Sequence, residues 1–140
     1  MTVSTHSLQV SMQGDSQMEN LTQSMQDILN KSGVVNGTLT LFVKHTTASV
    51  MIIEDEPGIR ADTKKFWNAT IPAKADWDHN TRNLGEDNGH SHLRGQLQGP
   101  SLTIPIVQGT LTLGTWQQIV LIDFDTRART RELVVQVMGE

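Results

Sequence analysis

Residues 38 to 53 read TLTLFVKHTTASVMII, and this stretch decides how the chain is built. Leu39, Leu41, Val43 and His45 fall on one face by the two-residue period of a β-strand, so His45 continues a buried row. The acidic run Glu54-Asp55-Glu56 and the turn pair Pro57-Gly58 end the stretch. Beyond it, Ile59, Asp62, Thr63, Phe66 and Trp67 predict a helix of about ten residues, closed by Ile71-Pro72. Towards the N-terminus, alternation from Thr2 to Met12 predicts a strand ending at Gln13-Gly14-Asp15. Ser16 with Glu19 three residues later has the form of a capping box. Met18, Leu21, Met25, Ile28 and Leu29 then recur at helical spacing, and Gly33 stands where a C-terminal glycine belongs.

Residues 73 to 91 follow neither period and form a polar connection longer than compact domains normally carry. They crowd Asp76, Trp77, Asp78, His79, Arg82, Glu86, Asp87, Asn88 and His90 together, unlike a passive linker. A short helix capped by Asn88 is expected from Gly89 to Gly99-Pro100. The remainder reads as strands: Leu102, Ile104 and Ile106, a Gln108-Gly109 turn, Leu111 and Leu113, then TWQQIVLIDFD, and after a turn at 126 to 129, TRELVVQVM. Pro105 inside a strand predicts an edge or an interruption. Separate runs of antiparallel strands and helices make the fold class α+β, and 140 residues favour a single domain over residues 1 to 140.

The chain carries 11 Lys+Arg against 15 Asp+Glu, and no cysteine. Disulfide scaffolds and cysteine zinc fingers are excluded, and the acidic balance argues against sequence-independent nucleic-acid binding. No apolar run approaches a membrane span, and the reading expects a soluble, cytoplasmic protein with no nucleic-acid or membrane partner. P-loop, Rossmann, nucleophile-elbow and zincin motifs are all missing.

Three histidines stand out, His45, His79 and His92, because three imidazoles suit a divalent metal and leave a position open. Spacing alone leaves open whether they meet. Arg129 and Arg131 on one strand face could fork around phosphate oxygens, or simply keep an edge soluble. Trp116 beside Gln117 could stack on a flat ring, or could be a core tryptophan. Glu54, Asp55 and Glu56 could hold Mg²⁺, but an acidic turn ahead of a helix is also favourable by itself.

The ordered blocks His45-Thr46-Thr47-Ala48-Ser49, Asp87-Asn88 with His92-Leu93-Arg94, Gly99-Pro100-Ser101-Leu102 and Gly114-Thr115-Trp116-Gln117 resemble the YjbQ family, described as secondary thiamine-phosphate synthases. The resemblance implies a small α+β homotrimer of two antiparallel sheets with two to three helices and a pocket near subunit contacts. It also implies joining of an aminopyrimidine methyl diphosphate to a thiazole phosphate, a transferase reaction releasing pyrophosphate. In its terms His45, His79, Asp87, Asn88, His92, Ser101, Trp116, Gln117 and Arg129 match the family pattern. Chemistry then assigns His92, Glu86, Arg129 and Arg131 to catalysis, Trp116, Gln117, Ser101 and Asn88 to a small phosphorylated heteroaromatic substrate, and His45, His79 and His92 to a divalent metal, Zn or Mg. Two departures bear on the site: Ile53 precedes Glu54 where a polar residue is common, and Thr126-Arg127-Ala128 replaces a Gly-Pro ahead of the terminal arginines. A metal-dependent hydrolase or lyase of a small phosphorylated molecule, and a non-catalytic small-ligand or metal-binding trimer, are the alternatives.

Overall fold

The computed structural model describes residues 1 to 140. The first strand, β1, runs Thr2–Met12, and four-residue β2, Gln17–Asn20, follows it directly. Helix α1 spans Thr22–Ser32, β3 Gly37–Val43, β4 Ala48–Ile53 and α2 Pro57–Thr70. The polar connection contains a five-residue helix α3, Asp78–Arg82, and leads into α4, Gly89–Gln98. Strands β5 (Ser101–Val107), β6 (Thr110–Leu111), β7 (Gln118–Asp123) and β8 (Arg129–Gly139) complete the chain. The α+β class stands, with four helices where two to three were expected, because the polar connection folds a turn of its own. No helix is long and apolar enough to cross a membrane.

Two antiparallel sheets result, one ordered β1-β8-β3-β5-β6 and one ordered β2-β7-β4. The stretch that opens the sequence reading is therefore not one strand. It leaves the first sheet at Val43, turns over residues 44 to 47, and enters the second sheet at Ala48. Leu39, Leu41 and Val43 from one sheet meet Ala48, Val50, Ile119 and Leu121 from the other in the main core, which α1 closes with Met25 and Leu29. On β7, Val120 and Ile122 point the opposite way and pack with Met51, Trp67 and Phe124 under α2. Hence the run Ile119 to Ile122 is apolar without alternation: the strand is covered on both faces. The Trp67 and Phe124 rings meet edge-on, with centroids 5.0 Å apart.

The start of the first helix lies later than its capping-box pattern predicts. Asp15 and Ser16 adopt positive φ after Gly14, so the chain turns back and pairs with β7 rather than starting a helix at Ser16. The capping box is not made. The Asn20 side chain accepts from the Thr22 N–H at 3.0 Å and starts α1 there. Gly14 itself has no substitute, since a Cβ would come within 2.4 Å of the Asp125 carbonyl oxygen. Pro105 is tolerated because its backbone edge faces the short β6 hairpin, where its carbonyl accepts from Thr112 N–H at 3.0 Å. The acidic run serves structure: Glu56 caps α2 by accepting from Gly58 and Ile59 N–H, and Asp55 pairs with Arg60.

Candidate functional site

The site is built where β3 leaves its sheet. Lys44 faces Glu132 in the β3–β8 register, and the Lys44 N–H donates to the Glu132 carbonyl at 3.2 Å. The return bond goes elsewhere: the Glu132 N–H donates to Nε2 of His45 at 2.9 Å, so an imidazole replaces the carbonyl the ladder would have used. A backbone N–H can only donate, hence His45 Nε2 is an acceptor and the ring proton sits on Nδ1. Burial, and then the charge of Arg131, push the His45 pKa below its ordinary value, which keeps the ring neutral. Nitrogen-15 spectra of the imidazoles should show His45 protonated at Nδ1 and bare at Nε2. The reverse pattern would contradict this ladder.

Helices α3 and α4 bring the other two imidazoles, with the His79 and His92 ring centroids 4.5 Å apart. Helix α4 can approach because residue 95 is glycine: a Cβ there would come within 2.6 Å of the Thr46 carbonyl oxygen. Asn88 stands at the N-cap position of α4 but its side chain does not cap. It is drawn instead into a polar chain, donating from Nδ2 to Asp125 at 3.2 Å. That leaves its Oδ1 to accept from Nε2–H of His79 at 3.1 Å and puts the free nitrogen of His79 at Nδ1. Burial, and then the neighbouring His79, lower the pKa of His92.

Beneath the imidazoles lies a buried charge network. Asp123 receives Nε of Arg131 at 2.5 Å and its NH2 at 2.8 Å, with both side chains almost fully buried. The same NH2 donates to Thr47 Oγ1, and Thr47 donates on to Asp125 at 2.9 Å. Asp125 also accepts from Thr126 N–H and from Arg129 Nε, each at 2.7 Å. Burial alone would raise the Asp125 pKa, but the bonds from Thr126, Thr47, Arg129 and Asn88 overcome it and hold the carboxyl at about 2.

These groups wall a cavity of about 440 Å³ with no hydrophobic lining, which holds His45, His79, His92, Glu86, Asn88, Arg129 and Arg131 among those expected at a site. Lys44, Thr46, Thr47 and Asp125 join them, unforeseen. The paired acids of Asp123-Phe124-Asp125, two residues apart at the end of an apolar strand and followed by Arg129 and Arg131 at the same interval, were the available signal.

Several expectations are corrected. Arg131 is not half of a phosphate fork: its side chain is 2% exposed and taken by Asp123, whereas Arg129 is 42% exposed with only Nε engaged. Trp116, 71% exposed on the turn before β7, and Gln117, which accepts from Gly114 N–H, lie away from the cavity walls. Ser101 is exposed at the start of β5, likewise off the walls. No group of three or more His, Asp or Glu side chains takes a metal-holding arrangement, which corrects the metal-binding reading of His45, His79 and His92. The physical reason begins at His45, whose bare nitrogen is already spent on the Glu132 N–H.

The family model described as UPF0047 protein YjbQ-like matches residues 6 to 140. A UPF0047 protein of Synechocystis is 37% identical over 135 residues, 95% of this chain and 90% of that protein. One from Methanothermobacter thermautotrophicus is 35% identical over 120 residues, 86% of this chain and 81% of that protein. Among solved structures, a hypothetical protein of Aeropyrum pernix K1 superposes with TM-score 0.90 at 34% identity, covering 98% of this chain and 99% of that one. A YbjQ-like protein of unknown function from Sulfolobus solfataricus P2 gives 0.89 at 28% identity, covering 99% and 100%. Their names speak of uncharacterised proteins and none of thiamine synthesis, which, with the missing metal cluster, corrects the expected thiamine-phosphate synthase and transferase activity.

Proposed function

The chain belongs to the YjbQ-like UPF0047 family, and from the polar cavity it builds we propose that it binds a small phosphorylated molecule there, a phosphorylated heteroaromatic among the candidates, beside an imidazole pair able to carry a proton. The observation that carries this reading is Arg129. Its Nε is anchored on Asp125 at 2.7 Å, while the two terminal nitrogens have no protein partner and the side chain is 42% exposed. An anchored guanidinium with a free edge suits two phosphate oxygens. Lys44, tethered to Glu132 at 3.2 Å, adds a second cation, and His45 Nδ1–H a neutral donor. Of the lining cations, Arg131 is neutralised by Asp123, so Arg129 and Lys44 are the ones that face the cavity with capacity to bind. The rings of His79 and His92, with centroids 4.5 Å apart, supply nitrogens for proton transfer.

Titration calorimetry with phosphate monoesters tests it. Arg129→Gln and Lys44→Ala are each expected to weaken binding about tenfold or more, the usual worth of a charged hydrogen bond. Affinity unchanged in Arg129→Gln would remove the reading.

We further propose the homotrimer that the family resemblance implies. Support comes from β1, an eleven-residue strand at the edge of its sheet, since a long edge strand invites pairing.

A further inference from the structure

The polar cavity does not end at its own walls. A second compartment of about 520 Å³ adjoins it, and Lys44, His45, Thr46 and His92 line both. Its remaining walls are of another kind: Phe42, Val43 and Ala48 are apolar, Gly95 and Pro100 carry no polar side chain, and Gln96 adds one uncharged amide. Each compartment lies in the size range of about 300 to 1,000 Å³ typical of small-molecule sites. Inorganic phosphate bound at Arg129 would leave the apolar compartment empty of any partner it is built to meet.

Resting on the phosphate reading above, we propose that the ligand has two parts: a phosphoryl head in the polar compartment and an uncharged, ring-sized apolar body in the adjoining one, with Nδ1–H of His45 donating to an oxygen where the two meet. His45 suits the junction because it faces both compartments and its Nε2 is locked on the Glu132 N–H, which leaves a donor of fixed polarity. The body must be neutral. No carboxylate lines the second compartment, so an ammonium group there would find no counter-ion in its walls. Phe42, 45% exposed, offers the face on which a ring would rest.

Calorimetry on the intact chain with three probes, inorganic phosphate, phenyl phosphate and phosphoethanolamine, tests this. Phenyl phosphate is expected to bind about tenfold or more tightly than the other two, as burying a ring face against apolar walls implies. Gln96→Trp, at an exposed position of α4 on the rim of the second compartment, should abolish that advantage while leaving inorganic phosphate unaffected. Phe42→Ala should reduce it without depending on how Gln96→Trp packs. Equal affinity for phosphate and phenyl phosphate would overturn the two-part ligand and leave the phosphate site standing. A phenyl advantage that survives both variants would overturn the placement of the body. Binding of none of the probes would overturn the phosphate reading and this inference with it.

Discussion

Replacing Arg131 by methionine is expected to destabilise the folded chain by about 3–5 kcal/mol, the usual cost of stranding one member of a buried ion pair. Asp123 is fully buried, and it holds the guanidinium through two bonds of 2.5 and 2.8 Å. With arginine gone, its charge keeps only the Asp125 N–H at 2.9 Å, and Thr47 loses a donor as well. A domain with a total stability of about 5–15 kcal/mol surrenders a large share of it. The double variant Asp123→Leu with Arg131→Met should recover much of the loss, because the uncompensated charge leaves with its partner. Urea midpoints at an unchanged slope are the measurement. A single-variant loss under about 1 kcal/mol would mean that water reaches the pair, and Arg131 would then return as a candidate ligand group.

That distinction between Arg129 and Arg131 shows where sequence reading stops. Both arginines lie on one strand face at the right interval, so spacing alone makes them equivalent. Their difference is set by depth: Arg131 sits where β8 is covered by the 44 to 47 turn and Asp123, while Arg129 sits at the end of the strand. Period-two patterns carried β1 to its observed ends and placed the inward rows of β3 and β5, because burial on one face is a local property of a strand. The passage of residues 38 to 53 from one sheet to the other was not local. It depends on β8 and β7 being already in place on either side. For the same reason Trp116 and Asn88 were misjudged in opposite ways. The tryptophan has no wall behind it, and the asparagine forsakes a cap for Asp125 and His79, partners 37 and 9 residues away. The three histidines did converge on one cavity, but tautomers are decided by partners such as the Glu132 N–H, which spacing cannot announce.

Asp125→Asn is the change expected to alter both neutral stability and acid sensitivity. The native carboxylate accepts from Thr126 N–H, Thr47, Asn88 and Arg129, and an amide in its place turns one acceptor into a donor facing donors. The folded group titrates at about 2 against an ordinary 3.8, so the unfolded chain takes up this proton first as pH falls. Its contribution is therefore complete above about pH 4 and lost between about 4 and 2, and the gap in pKa corresponds to about 2 kcal/mol. The half-buried histidines His45 and His92 act earlier with the same sign. Their folded pKa values lie below the ordinary 6.5, so stability is full above that pH and declines as acid charges the unfolded rings first. Wild type and Asp125→Asn should accordingly differ by about 2 kcal/mol near neutrality. The gap should widen slightly as the histidines titrate, because the Asp125 charge raises the pKa of His92 and His90, and then narrow from about pH 4 towards pH 2. Urea denaturation at stepped pH reads this difference directly, since carboxylates common to both chains, Asp55 with its Arg60 partner included, cancel. A gap that stayed constant through the acid range would show that Asp125 carries no special charge in the folded state. The Asn88 bridge to His79 would then rest on geometry alone.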